Sequence, residues 1–477
     1  MTEISNNILS YISSLYGENA VKDFVEFIQK DPAQYIRVNP IKTNQQKISQ
    51  SLAKNYSIDT EEIPLLTNAL KIKSKNYIIG KTIEHIIGDY YIQSLSSMLP
   101  PLILAPQADD IVLDLCAAPG SKTTELGELM MNKGTLIANE IALDRVKMLV
   151  YNIDRMNLMN AGVIHYKGEW LSKIYNEYFD KILVDAPCSG LGIIQKKGEV
   201  NNWWSLERAE RLGDLQLRLL IAAIKMVKEG GEIVYSTCTL TPEENEFIID
   251  KVLQKYPVEI EEIELPVPSR EGLTSYKGNN LHPSISKTRR ILPWEVDSDG
   301  FFIVKLKKIG QTISPEMNLP KSHKIKMLNY KKSEIKKFLS NIEEEFGISS
   351  EVLKQYKYII KRNDIYFIDR NWEGNHLDIF DRIGTRFGMI DKTGKVILHT
   401  QASQVLQESI KGKIFEVDNL DDLKTYLDGG IMKNKKFETG QCVVKYKDSI
   451  LGTAIVTSQG IKSRFPRSKR TQEILIQ

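Results

Sequence analysis

Hydrophobic and polar positions change rhythm several times along this chain of 477 residues, and each change marks an element. Residues 1–30 carry apolar side chains at helical spacing: Ile8, Ile12 and Leu15, then Val21, Phe24 and Ile28, before Asp31-Pro32 ends the segment. YIRVNPIKTN (35–44) alternates like a strand, with Arg37, Asn39 and Lys42 between apolar residues. Its basic residues fit either a phosphate-gripping strand or a solvated sheet edge. Residues 51–88 read as a small α/β piece ending at Gly88, and DYYIQSLSSMLPPL (89–102) as a helix entering the next region. Tyr90, Tyr91 and Gln93 stand close to a ligand crevice in this reading, although core packing explains the tyrosines better.

From residue 111 strands and helices alternate. A β-branched and leucine run, Ile111–Leu115, predicts a buried parallel strand. Cys116, Ala117, Ala118, Pro119 and Gly120 follow, and Ser121 is placed to cap a helix reaching about Asn132. TLIANE (135–140), GVIHY (162–166), KILVDAP (181–187) and GEIVYSTC (231–238) are the next strands. A helix over ALDRVKMLVYNIDRM follows the second strand, and a long one over about 205–229 stops at Gly230-Gly231. TPEENEFIIDKVLQ predicts a helix with Thr241 as N-cap, Pro242 at the first position and Glu244 completing a capping box. VEIEEIEL and, after a loop over 266–299 holding Arg289 and Arg290, GFFIVKLKK are the last strands. This alternation predicts an α/β fold with a Rossmann-like, doubly wound, mostly parallel sheet that binds ligands beyond its strand C-termini. Lysine becomes frequent from about 305 (KLKKIG, PKSHKIK, YKKSEIKK), and shorter strands and helices continue to a small barrel-like module at 412–477.

Composition narrows the setting more than the function. Hydrophobic residues make up 42% and charged residues 26%, as in ordinary soluble chains, and a net charge of +3 does not by itself argue for nucleic acid. The four cysteines, Cys116, Cys188, Cys238 and Cys442, form no CxxC pair, so no metal site is expected. Their sparseness points to a reducing, cytoplasmic setting. MTEISNNILSYISS lacks the basic-then-apolar order of a signal peptide, and no apolar run reaches the roughly 18 residues of a membrane span.

The chemistry gathers at strand tips. Strand, small-residue turn and helix N-terminus at 111–123 make a cradle for a polar or anionic ligand, because helix N–H groups face it and nothing bulky intervenes. A Walker-type loop is disfavoured, since Ser121 separates Gly120 from Lys122. Glu140 at the second tip is placed to accept both hydroxyls of a ribose, each charge-assisted bond being worth roughly 1.5–3 kcal/mol. The fourth strand ends in DAPCSG, with Asp185 and Cys188, and the fifth in STC, with Cys238. Two thiols and a carboxylate over a nucleoside site suit C5-methylation of a pyrimidine. Thiolate addition at C6 makes C5 enamine-like, and a carboxylate at the N3 edge holds the added proton. The residues alone leave open which thiol attacks.

DLCAAPGSKT, DAPCSG and STCTLTPEENE together resemble the Sun family of S-adenosylmethionine-dependent RNA cytosine-C5 methyltransferases. RVN (37–39), DYYIQSLSSM (89–98) and RRILPWEVDSDGFFIVKL (289–306) are similar to its flanking blocks, so the likeness covers roughly residues 20–307. DRIGTRFGMI and LGTAIVTSQGIKSRFPRSKR resemble the tail of its bacterial small-subunit ribosomal RNA branch, which carries a PUA-like module. The resemblance implies a class I methyltransferase domain at 89–308, an N-terminal RNA-binding α/β domain at 1–88, an intermediate domain at 309–411 and a PUA-like RNA-binding module at 412–477. It also implies that Cys116, Ala117, Ala118, Pro119, Gly120, Ser121 and Lys122 wrap S-adenosylmethionine, with Glu140 on its ribose. Asp185 then faces both the cytosine and the sulfonium region, Cys238 is the nucleophile and Cys188 assists product release. The expected partner is RNA, ribosomal ahead of transfer RNA because of the tail, with no membrane partner and a monomeric chain. The alternatives are a transfer RNA methyltransferase and a non-catalytic RNA-binding assembly factor. One departure stands out: the family places Asp before Gly after the third strand to meet the adenine amino group, and here Lys167 precedes Gly168. A lysine accepts no hydrogen bond, so either Glu169 replaces it or stacking holds the adenine.

Overall fold

Gly17, at φ +83°, interrupts the first helical segment, so the chain forms α1 (Asn6–Tyr16) and α2 (Glu18–Gln29) instead of one helix. The structure is a computed structural model that describes residues 4–73, 78–313, 325–433, 437–470 and 473–475. The apolar stripes of α1 and α2, with Ile8, Ile12 and Phe24, pack on Leu191, Ile194, Trp204, Leu240 and Leu292. The N-terminal helices thus cover the loops that follow both candidate thiols.

A four-stranded antiparallel sheet comes next, in the order β2 (Thr60–Ile63), β3 (Leu66–Ile72), β1 (Tyr35–Val38), β4 (Tyr90–Ile92). Helix α3 (Gln45–Tyr56) and the short α4 (Ile83–Ile87) complete it. The helix expected over 89–102 begins only at Leu95, as α5 (Leu95–Leu104). The aromatic and β-branched run YYI pairs with β1 instead, where cross-strand packing overrides the helical reading. Interior position decides the fate of Arg37. Its side chain is 3% exposed, donating from Nε to Glu128 Oε2 at 2.8 Å and from Nη2 to Thr124 Oγ1 at 2.8 Å. It is neither a phosphate grip nor a solvated edge. Lys42 is likewise taken up internally, beside Asp89 at 3.4 Å.

Five parallel strands form the centre, in the order β9 (Val227–Thr237), β8 (Phe179–Asp185), β5 (Ile111–Asp114), β6 (Thr135–Asn139), β7 (Ala161–Ile164). Helices α6 (Ser121–Leu129) and α7 (Leu143–Arg155) cover one face with α5; α9 (Leu206–Met226) and α10 (Glu246–Leu253) cover the other, the short α8 (Val200–Trp203) preceding them. Successive residues Val112 and Leu113 serve opposite faces, the period-two rule of a strand buried on both sides. The sheet is mixed. Phe301–Lys308 lies antiparallel to β9, followed by Arg289–Ile291 and Arg270–Glu271, while β10 (Val258–Glu261) also pairs with Phe301–Lys308. On the far side Phe380–Ile383 pairs antiparallel with β7, so chain well beyond 308 completes this sheet.

Three local expectations fail for identifiable reasons. Gly120, not Ser121, is the residue before α6, at φ +109° and without a side-chain cap. Helix α9 ends at Met226, and Val227 is already extended. Gly230, at φ +80°, serves a bend within β9, where the register shifts between Phe179 and Lys181. Finally, α10 starts at Glu246 with no side-chain cap, because the Glu244 carboxylate is engaged elsewhere.

Beyond 325 there are two more five-stranded sheets, one running from Leu328–Asn329 to Val396–Leu398 beside the helix Ser333–Phe346, the other within 414–463. Among the described residues the second is not closed by hydrogen bonds: Ile414–Glu416 and Ile431–Met432 stand at its opposite sides. It shares a core with Ile86 and Ile87 of α4, and Lys469 Nζ donates to Ile86 O at 2.8 Å. Residues 320–324 of the lysine-rich PKSHKIK lie outside the described residues. Among the described residues no helix is long and apolar enough to cross a membrane.

Candidate active site

The cradle is built by close approach. A Cβ on Gly120 would stand 3.2 Å from Leu149 Cδ1 and 3.4 Å from Asn152 Cβ, so only glycine fits the turn without a shift. Ala117 N donates to Asn139 O at 2.8 Å, and Asn139 Nδ2 donates to Leu115 O at 3.1 Å, locking the turn to the neighbouring tip. Glu140 is 2% exposed; its carboxylate accepts Ala142 N–H at 2.9 Å and pairs with Arg145 at 3.2 Å. Below the turn, Asp114 accepts from Thr123 Oγ1 at 2.7 Å, its other oxygen makes no well-formed hydrogen bond among the described residues, and burial pushes its pKa up to about 7. Small residues, a fixed glycine, an acidic tip and a buried carboxylate oxygen fit a nucleoside with a polar tail. Burial raises the Cys116 thiol well above its ordinary value.

The cradle joins the reacting end through Lys122. The sequence assigned this residue to the turn; its side chain reaches across to the fourth tip. Lys122 Nζ donates to Asp185 Oδ2 at 2.7 Å and to Ser97 Oγ at 3.0 Å, over the Phe301 ring at 5.0 Å. Burial alone would lower its pKa, but Asp185 beside it raises it above the ordinary lysine value. Asp185 Oδ1 accepts from Ser236 Oγ at 2.8 Å, so both carboxylate oxygens are oriented.

Register places the thiols together. Asp185 stands opposite Ser236 across β8 and β9, and the two loops beyond bring Cys188 Sγ to 2.8 Å from Cys238 Sγ. Both are free and half-buried. The hydrogen bond to Cys238, then burial, raises the Cys188 pKa well above the ordinary thiol value. The sequence reading overlooked what holds these loops: Glu244 accepts Ser189 N–H at 2.8 Å, Gln216 Nε2 at 2.9 Å and Thr241 Oγ1 at 2.6 Å. The only prior signal was a glutamate spaced for a capping box. Lys167 is exposed, with Nζ 4.7 Å over the Trp170 ring, and Glu169 is half-buried on the same turn.

A small-residue turn, an acidic strand tip and paired thiols at the ends of a parallel sheet of this order mark a class I S-adenosylmethionine-dependent methyltransferase. A solved methyltransferase homologue from Pyrococcus horikoshii has the same fold, at 32% identity and a TM-score of 0.57 over 64% of this chain and all of its own. Residues 101–307 match the family described as 16S rRNA methyltransferase RsmB/F, and the chain belongs to that family of RNA cytosine-C5 methyltransferases. The ribosomal RNA small subunit methyltransferase F of Shewanella piezotolerans is 32% identical over 98% of this chain and 97% of its own length. The tRNA (cytosine(49)-C(5))-methyltransferase of Pyrococcus abyssi is 36% identical over 60% of this chain and 92% of its own.

Proposed function

We propose that this protein methylates C5 of a cytosine in ribosomal RNA through a covalent Cys238–C6 intermediate. The observation that carries the mechanism is the pair of thiols, 2.8 Å apart, beside the oriented Asp185. Asp185 takes up the Cys238 proton as the sulfur bonds to C6 and passes it to N3, toward which the C5=C6 electron pair shifts. S-adenosylmethionine, held by residues 116–122 and Glu140, supplies an electrophilic methyl group that C5, now enamine-like, accepts. Loss of the C5 proton then restores the double bond as the sulfur–C6 bond breaks and Cys238 leaves as thiolate. Cys188 serves this release. Its raised pKa comes first from the hydrogen bond with Cys238, and that bond is gone once Cys238 is in the adduct. Cys188 is thereby free, as thiolate, to accept the C5 proton.

Ribosomal RNA is favoured because the small-subunit relative aligns along nearly the whole chain, C-terminal third included. The transfer RNA reading is supported by a relative that matches only the catalytic part. Residues 1–88, 309–411 and a PUA-like 412–477 act as RNA-holding regions around the catalytic 89–308, to whose sheet Phe380–Ile383 adds an edge strand, in a monomeric cytoplasmic enzyme. Bisulfite sequencing of cellular RNA with and without the gene tests the target: loss of one ribosomal 5-methylcytosine supports the proposal, and loss confined to transfer RNA overturns it.

A further inference from the structure

The strand ladder that aligns the two thiol loops stops short of the thiols. Its last bonds are the Asp185–Ser236 register and Ala186 N donating to Ser236 O at 2.9 Å; Cys188 and Cys238 lie beyond. Glu244, fully buried on the turn before α10, takes over from there. Oε1 accepts Ser189 N–H at 2.8 Å and Gln216 Nε2 at 2.9 Å, and the same Gln216 nitrogen donates to Pro187 O at 2.9 Å. Both peptide neighbours of Cys188 are thus pinned by one carboxylate, one directly and one through an amide. On the other side Oε2 accepts from Ser189 Oγ and Thr241 Oγ1, and Ser189 Oγ lies 2.9 Å from Thr239 Oγ1, next to Cys238. Among the described residues no cation pairs with this carboxylate. A buried carboxylate held only by neutral donors is a costly way to join two loops, and an apolar contact of the same shape would stabilise the fold as well or better.

We propose that Glu244 is a positioning residue that holds Cys188 against Cys238, and that it serves the release step and not the attack. The inference rests on the two-thiol reading above. Attack needs only Cys238, which directly follows Thr237 at the end of β9 and whose own carbonyl accepts Gly192 N–H at 3.0 Å. Release needs Cys188 at a fixed distance from the adduct; the Glu244 network sets it, together with Gly192 N, which donates to Cys238 O at 3.0 Å.

The test follows adduct formation and decay with Glu244→Gln, Cys188→Ala and the double variant, on full-length protein with its substrate RNA. Glu244→Gln should form the adduct within about twofold of the wild-type rate and release product about tenfold or more slowly, the scale of one lost charge-assisted bond network. RNA KM and the dissociation constant of S-adenosylhomocysteine should stay unchanged. The double variant should release no more slowly than Cys188→Ala alone, because a residue acting through Cys188 has nothing left to position. Multiplied effects in the double variant, or adduct formation slowed as much as release, would overturn the proposal. Should Glu244→Gln fail to fold, Gln216→Leu frees Pro187 alone and must give the same pattern. Normal turnover by Cys188→Ala removes the two-thiol reading and this inference with it. A stalled Cys188→Ala beside a normally releasing Glu244→Gln sinks the inference alone.

Discussion

The residues at the reacting end hold one another in place, and substitution should separate their roles. Cys238→Ala removes the nucleophile, so neither methylation nor a denaturant-resistant protein–RNA species should appear. Cys188→Ala should still attack and methylate, then stall, so that species accumulates on a denaturing gel and turnover ends with the first cycle. Adduct trapped by Cys238→Ala and absent from Cys188→Ala would show the roles reversed. Glu140→Ala should weaken S-adenosylmethionine binding by about 1.5–3 kcal/mol in calorimetry, the loss of charge-assisted bonds to a diol; unchanged affinity would move the ribose elsewhere. At this scale the sequence was most informative where a residue type has little other use. Paired Cys188 and Cys238 beside Asp185 were legible from strand-tip position alone. Lys122 was legible only as part of a turn, because a sequence does not tell which way a long side chain crosses to the next tip. Glu244 was misread because its spacing also satisfies a helix cap.

Among the elements, the join between β1 and α6 carries an unusual charge load. Arg37 from the strand meets Glu125 at 3.4 Å and Glu128 at 2.8 Å on the helix, all three nearly inaccessible. Burial pushes the Glu125 pKa up to about 8, even with Arg37 opposing the shift. The folded chain therefore keeps a proton that the unfolded chain has lost, and stability falls as pH rises from about 4.5 toward about 8. Glu125→Gln should flatten that slope and raise the thermal midpoint at pH 8 relative to wild type; an unaltered slope in a melting series would place the titration on another group. Element order was legible wherever apolar runs were long: all five parallel strands fall within a few residues of their expected places. The failures lie at junctions. YYI and the Gly230-Gly231 pair read equally well as helix start and helix stop, and only pairing with β1 and β8 decides otherwise.

Over the whole molecule a net charge of +3 is too small to hold RNA evenly, so the distribution matters. Two lysines at the start of the lysine-rich stretch are taken up internally: Lys308 is buried on Glu177, and Lys305 pairs with Glu232 and Glu261. Lys331, Lys332, Lys336 and Lys337 remain exposed at the start of the helix Ser333–Phe346. Replacing these four with glutamate should weaken RNA binding and flatten its dependence on salt, as fewer counterions are released; equal affinity at matched salt would clear this face of the role. How the last third docks was hardly legible, since FDRI (380–383) is too short to name a partner. That small strand nonetheless matters far beyond its length. It closes the open backbone row of β7, with Phe380 and Trp372 packed against Gly162. A polypeptide cut after residue 307, where the match to the family's catalytic region ends, would keep every catalytic side chain and expose a bare, apolar edge strand. Such edges template pairing with other copies. Light scattering should find the shortened protein self-associating at concentrations where the full chain stays dispersed, so a loss of activity on truncation would report clumping before it reported anything about RNA.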